Sequence, residues 1–132
     1  MTTKNSADLL ETIVQQEKAS LEFGFYWENA EQILQQAESE CHEIREALLK
    51  QDLSHIKEEV GDLINAAISL CIFLGFDPKS TLSDNIEKYQ KRFDTLVSLV
   101  KAEGLDDLTH KPMDVLLRYW GEAKKLTTKE TI

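Results

Sequence analysis

The chain has 132 residues, enough for one domain and too few for two comfortable ones. Its composition is 42% hydrophobic and 30% charged, with five Gly and two Pro, which supports a core built from helices. A net charge of −9 leaves no basic face to track a nucleic-acid backbone or an anionic membrane, so both partners are expected to be absent. A small phosphate ligand stays compatible with that charge, because a metal ion and a few local cations can override the global field.

Ser6 can cap a first helix running to about Phe23, with Leu9, Leu10, Ile13 and Val14 as its apolar face and Gly24 as its stop. Phe25 and Trp27 follow in a connection that they should anchor by packing. A second helix spans about Glu28 to Lys50, with Ile33, Leu34, Ala37, Cys41, Ile44 and Leu48 as its stripe. A third helix, capped by Ser54, ends near Gly75, and Pro78 forbids its continuation. The short turn at Gln51 to Leu53 makes helices two and three antiparallel neighbours. A fourth helix starts near Ser80 or Thr81 and reaches about Glu103, with Ile86, Tyr89, Phe93, Leu96, Val97 and Val100 at the 3.6-residue period. Met113, Leu116, Leu117 and Trp120 form a short last helix, and the tail beyond Lys125 frays.

The fold class is therefore all-α, a bundle of four to five helices. One domain covers residues 1–132, with its core at about 6–125. Cys41 and Cys71 occupy apolar helix positions, so two buried free thiols in a reducing compartment are expected. The N-terminus shows no apolar signal region, which points to the cytoplasm. The greasiest stretch, Val60 to Phe76, is broken by Asp62, Asn65 and Ser69 and is too short and polar for a membrane span.

Two acidic pairs carry the chemistry: Glu40-x-x-Glu43 on the second helix and Glu59-x-x-Asp62 on the third. The third helix is the most hydrophobic in the chain and should be central and buried. Carboxylates on such a helix are costly to desolvate unless a cation meets them. An i,i+3 carboxylate pair alone is usually a solvated face; two pairs on antiparallel neighbours can converge on Mg²⁺, which prefers oxygen ligands. Gly61, inside the helix at a cost of about 1 kcal/mol relative to Ala, suggests close approach of a neighbour. On the fourth helix Asn85, Lys88 and Arg92 line one edge, where Lys and Arg suit phosphate oxygens. His42, His55 and His110 are scattered and expected to be exposed. No Glu-x-x-His, Cys-x-x-Cys, Gly-rich phosphate loop or nucleophilic Ser motif occurs.

These residues resemble the MazG-like, all-α nucleoside triphosphate pyrophosphohydrolases, whose signature is Glu-x-x-Glu, a spacer, then Glu-x-x-Asp. Here fifteen residues separate Glu43 from Glu59. "FGFYW" at Phe23 to Trp27, "EKYQKRF" at Glu87 to Phe93, "VKAEGL" at Val100 to Leu105 and Trp120 extend the likeness over roughly Ala19 to Lys125. The resemblance implies a helical homodimer or dimer of dimers that cleaves a (d)NTP between the α- and β-phosphates to a monophosphate and pyrophosphate. It assigns Mg²⁺, or Mn²⁺ in its place, to Glu40, Glu43, Glu59 and Asp62. Lys88 and Arg92, with Asn85, would meet the triphosphate, and Trp27 could stack on a base. Water would attack phosphorus, with a carboxylate accepting its proton.

The chain departs from the family pattern at Gln36 and Ser39, where relatives carry Lys and Glu, and at Asp84 and Ile86, where they place Lys and Asn. These departures keep a second reading open: a catalytically weakened helical dimer that binds nucleotide or a protein partner.

Overall fold

Among the described residues the chain forms five helices, and several of their boundaries can be traced to particular side chains. A computed structural model describes residues 8–128. The helices are α1 (Leu9–Phe23), α2 (Ala30–Lys50), α3 (Leu53–Phe73), α4 (Pro78–Ala102) and α5 (Met113–Thr127), with no strand among the described residues. The expected cap Ser6 lies outside the described residues, and α5 continues through Leu126 and Thr127, where the tail was expected to fray. The chain divides into two compact units, Met1–Thr81 and Leu82–Ile132.

In the first unit, α1 closes in a Schellman motif. Gly24 takes φ +94°, its N–H donates to the Leu21 carbonyl at 3.0 Å, and the Phe25 N–H reaches the Ser20 carbonyl at 2.9 Å. Asn29 caps α2 by accepting the Gln32 N–H at 3.0 Å. The Gln32 side-chain oxygen in turn accepts the Glu28 N–H at 2.7 Å, a reciprocal arrangement close to a capping box. Only Gln51 and Asp52 separate α2 from α3, and Gln51 adopts the left-handed conformation at φ 56°.

Two starts differ from the sequence reading. Asp52, not Ser54, caps α3, its carboxylate accepting the His55 N–H at 3.3 Å. Both residues are good cap types, and the tighter turn selects the earlier one. Pro78 opens α4 instead of merely ending what precedes it. Asp77 accepts the Ser80 N–H at 3.1 Å, and Pro at the first helical position loses no hydrogen bond there.

α2 packs along α3, and α1 contributes a smaller contact to α3. Ile33, Ala47 and Ala66 are buried, and Ser69 of α3 donates a hydrogen bond to the Glu17 carboxylate of α1. α3 is less enclosed than its composition suggested. Val60, Ile64, Phe73 and Leu74 are exposed: Val60 and Ile64 lie away from the flank that carries Glu59, Ala66 and Ser69, and Phe73 and Leu74 stand at the C-terminal end of the helix. Gly61 sits on the open flank, and a Cβ built there meets nothing within 4 Å, so the close neighbour expected from sequence is not found. Phe25 and Tyr26 are also exposed and do not anchor their connection, while Trp27 is 37% exposed. Cys41 and Cys71 are free and half-buried, not fully buried.

In the second unit, Val100, Tyr119 and Ala123 are buried. Tyr89 of α4 lies 5.5 Å from Trp120 of α5 between ring centres. The Tyr119 hydroxyl donates to Glu103 at 2.9 Å, which pushes its pKa up from the ordinary tyrosine value, with burial adding to the effect. Among the described residues, no single helix is long and apolar enough to cross a membrane.

Candidate metal centre

The two-residue turn makes α2 and α3 a tight antiparallel hairpin, so positions equally distant from the turn face one another. Glu43 stands seven residues before Lys50 and Glu59 six after Leu53; Glu40 lies about one helical turn further along α2. Carboxylate oxygens of Glu40, Glu43 and Glu59 accordingly come within 4.8 Å of one another. Glu40 and Glu59 are buried, with 7% and 6% exposure, whereas Glu43 opens to solvent.

The polar accounting of this cluster is incomplete. Gln36 donates to Glu40 Oε1 at 2.6 Å, and His55 Nε2 lies 3.3 Å from Glu59 Oε1. Glu40 Oε2 and Glu59 Oε2 are buried with no hydrogen-bond partner. Ionised carboxylates only accept, so three of them cannot satisfy one another. The stress appears in Glu59, whose pKa rises to about 7. Hydrogen-bonding contact with the Glu43 carboxyl is the largest cause, followed by burial and by the same kind of contact with Glu40. An all-oxygen donor set with two orphaned, buried oxygens fits a hard divalent cation, and the cluster could hold a metal ion.

The other residues singled out in the sequence are distributed as follows. Asp62 is exposed and stands outside the group of three. Asn85 and Lys88 are exposed on α4, and Arg92 is half-buried with its Nε buried and unpaired. Trp27 lines a cleft of about 430 Å³ together with Tyr26, Glu28, Gln32, Gln35 and Gln36. Sequence reasoning overlooked two neighbours of the acids. His55 precedes Glu59 by four residues and Gln36 precedes Glu40 by four, and that helical spacing was the available signal.

Comparison with known proteins agrees with this geometry. Residues 28–97 match the model of the MazG nucleotide pyrophosphohydrolase domain. The chain is 36% identical over 109 residues to a nucleoside triphosphate pyrophosphohydrolase/pyrophosphatase MazG of Thermotoga maritima, covering 83% of this chain and 41% of that protein. It is 26% identical over 113 residues to a nucleoside triphosphate pyrophosphohydrolase of Escherichia coli, covering 83% of this chain and 42% of the relative. A shorter match, 30% over 73 residues, joins it to the uncharacterized protein YabN of Bacillus subtilis, covering 54% of this chain and 14% of that one. The chain thus spans about two-fifths of the length of the first two relatives. With more than half of its residues inside the family model and the acidic cluster assembled between α2 and α3, the chain belongs to the MazG nucleotide pyrophosphohydrolase family.

Proposed function

We propose that the chain is a divalent-metal-dependent nucleoside triphosphate pyrophosphohydrolase, converting a (d)NTP and water to a (d)NMP and pyrophosphate in nucleotide-pool control. The observation that carries this reading is the pair of buried, partnerless oxygens on Glu40 and Glu59, two members of one carboxylate cluster in a chain of MazG sequence. Glu40, Glu43 and Glu59 would hold Mg²⁺, with Mn²⁺ as a substitute, and Asp62 would join from the next turn of α3. When bound, the cation supplies charge neutralisation and Lewis-acid polarisation at the phosphates. A carboxylate of the cluster would accept the proton as water is deprotonated.

Lys88 and Arg92, with Asn85, are assigned to the triphosphate on sequence resemblance, and Trp27 to the base. The two units are proposed to act as one MazG-type domain. The exposed Val60 and Ile64, neighbours on one flank of α3, support assembly into a homodimer or dimer of dimers, since adjacent apolar side chains are costly to leave in water. A cytoplasmic location accords with free cysteines.

The test is pyrophosphate release from a panel of ribo- and deoxy-NTPs, with Mg²⁺ and with chelator. Chelator-sensitive release that is lost in Glu59→Gln and in Asp62→Ala is expected. The absence of release from every (d)NTP, together with nucleotide-dependent thermal stabilisation, would instead favour the weakened, binding-only relative suggested by Gln36, Ser39, Asp84 and Ile86.

A further inference from the structure

The wall of the Tyr26–Gln36 cleft and the acid cluster have one residue in common. Gln36 lines the cleft, and its side-chain amide nitrogen donates to Glu40 Oε1 at 2.6 Å. The amide's orientation follows from chemistry: a carboxylate accepts and cannot donate, so the NH₂ group has to face Glu40. Gln36 therefore occupies one oxygen of Glu40 and leaves the other, Oε2, buried and without a partner.

A free buried Glu side chain could rotate to present either oxygen, or both. With Oε1 tethered, Oε2 is the atom presented, and the carboxylate is set up to bind a cation through a single oxygen. Hydrogen-bond partners of metal ligands commonly act in this way, orienting the ligand and tuning its strength. The neighbouring glutamines do not share the task. Gln32 bonds Glu28 and Gln35 bonds Glu31, both away from the cluster.

We propose that Gln36 is a positioning residue that fixes Glu40 as a one-oxygen metal ligand and links the cleft to the metal centre. The proposal rests on the reading of the acid cluster as a divalent-cation site. A ligand that enters the cleft and draws the Gln36 amide away from Glu40 would release this tether, so nucleotide and metal binding are coupled through this side chain.

The probe is Mn²⁺ alone, its binding followed by electron paramagnetic resonance, with pyrophosphate release measured separately. Gln36→Met keeps length and helix preference but has no amide; Gln36→Asn keeps the amide but cannot reach Glu40. Both are expected to weaken Mn²⁺ binding about tenfold and to lower kcat. Gln35→Leu, which alters the same cleft without touching an acid of the cluster, should leave Mn²⁺ binding unchanged. Wild-type Mn²⁺ affinity in both Gln36 variants, or equal weakening in Gln35→Leu, would overturn the proposal. If wild-type protein fails to bind Mn²⁺, both this proposal and the metal reading fall. If the Gln36 variants weaken Mn²⁺ while wild-type protein releases no pyrophosphate, the positioning role stands and the hydrolase assignment falls.

Discussion

α3 buries two polar side chains ten residues apart, and they are treated in opposite ways. Ser69, near the C-terminal end, donates to Glu17 across the α1 contact, so a donor meets an acceptor. Glu59, near the N-terminal end, meets Glu40 and Glu43 across the α2 contact, so acceptors meet acceptors. Both residues are equally enclosed, at 7% and 6% exposure. Burial thus does not distinguish a structural polar residue from a candidate ligand. The sign and completeness of its partnerships do.

The largest effect that would sharpen this contrast is on turnover. Glu59→Gln removes one acid without changing shape; pyrophosphate release should fall by about a thousandfold or more, in line with the loss of a major electrostatic element of a site. The melting temperature of the metal-free protein at pH 8 should rise, because like-charge repulsion is relieved. A variant that turns over normally would erase the distinction between the two ends of the helix.

The pH dependence of the metal-free protein follows. In the folded state Glu59 holds its proton up to about pH 7, against an ordinary value of 4.5 when free. Folded protein then binds more protons than unfolded protein between those values, so stability falls as pH rises from 4.5 through about 7 and levels off above. Saturating Mn²⁺ should flatten the fall, and Glu59→Gln should abolish it. Chemical denaturation at stepped pH, with and without Mn²⁺, checks both.

At the opposite end of α3, Ser69→Ala should cost about 1–2 kcal/mol of stability, as expected for a hydrogen bond to a carboxylate that can partly turn to water. Turnover per folded molecule should be unchanged; a loss of activity without a loss of stability would show that Glu17 and Ser69 belong to the site. The smallest effect is at Gly61. With nothing within 4 Å of the added methyl group, Gly61→Ala should stabilise the chain by up to about 1 kcal/mol. Destabilisation instead, growing with protein concentration, would reveal a second copy closing on that flank.

Much of the scaffold was legible in the sequence because helical period and Gly stops are local signals. α1 ends at Phe23 before Gly24, and α2 ends at Lys50, as the pattern indicated. The start of α3 was misjudged because Asp52 and Ser54 are chemically equivalent caps, and turn length decides between them. Pro78 was read as a stop, although it serves equally well as a first helical residue.

The meeting of Glu40, Glu43 and Glu59 could be anticipated because i,i+3 pairs flank a short turn. The contribution of Gln36 was passed over despite its i,i+4 spacing to Glu40, because a glutamine on an acidic helix reads as surface until its partner is known. The openness of α3 was also hidden. Composition reports that a side chain avoids water, but not which element covers it, and Val60 and Ile64 have no cover from α1 or α2.

The turn at Gln51 and Asp52 acts as a ruler. Because just two residues join the helices, α3 has little slack in which to absorb a change of length before its carboxylate moves relative to those of α2. Each added residue that enters the helix would swing Glu59 by about 100°, out of reach of its counterparts. Insertions and deletions among relatives are therefore expected to spare this junction and to collect in longer connections such as residues 103–112, where chain length governs no acid-to-acid spacing.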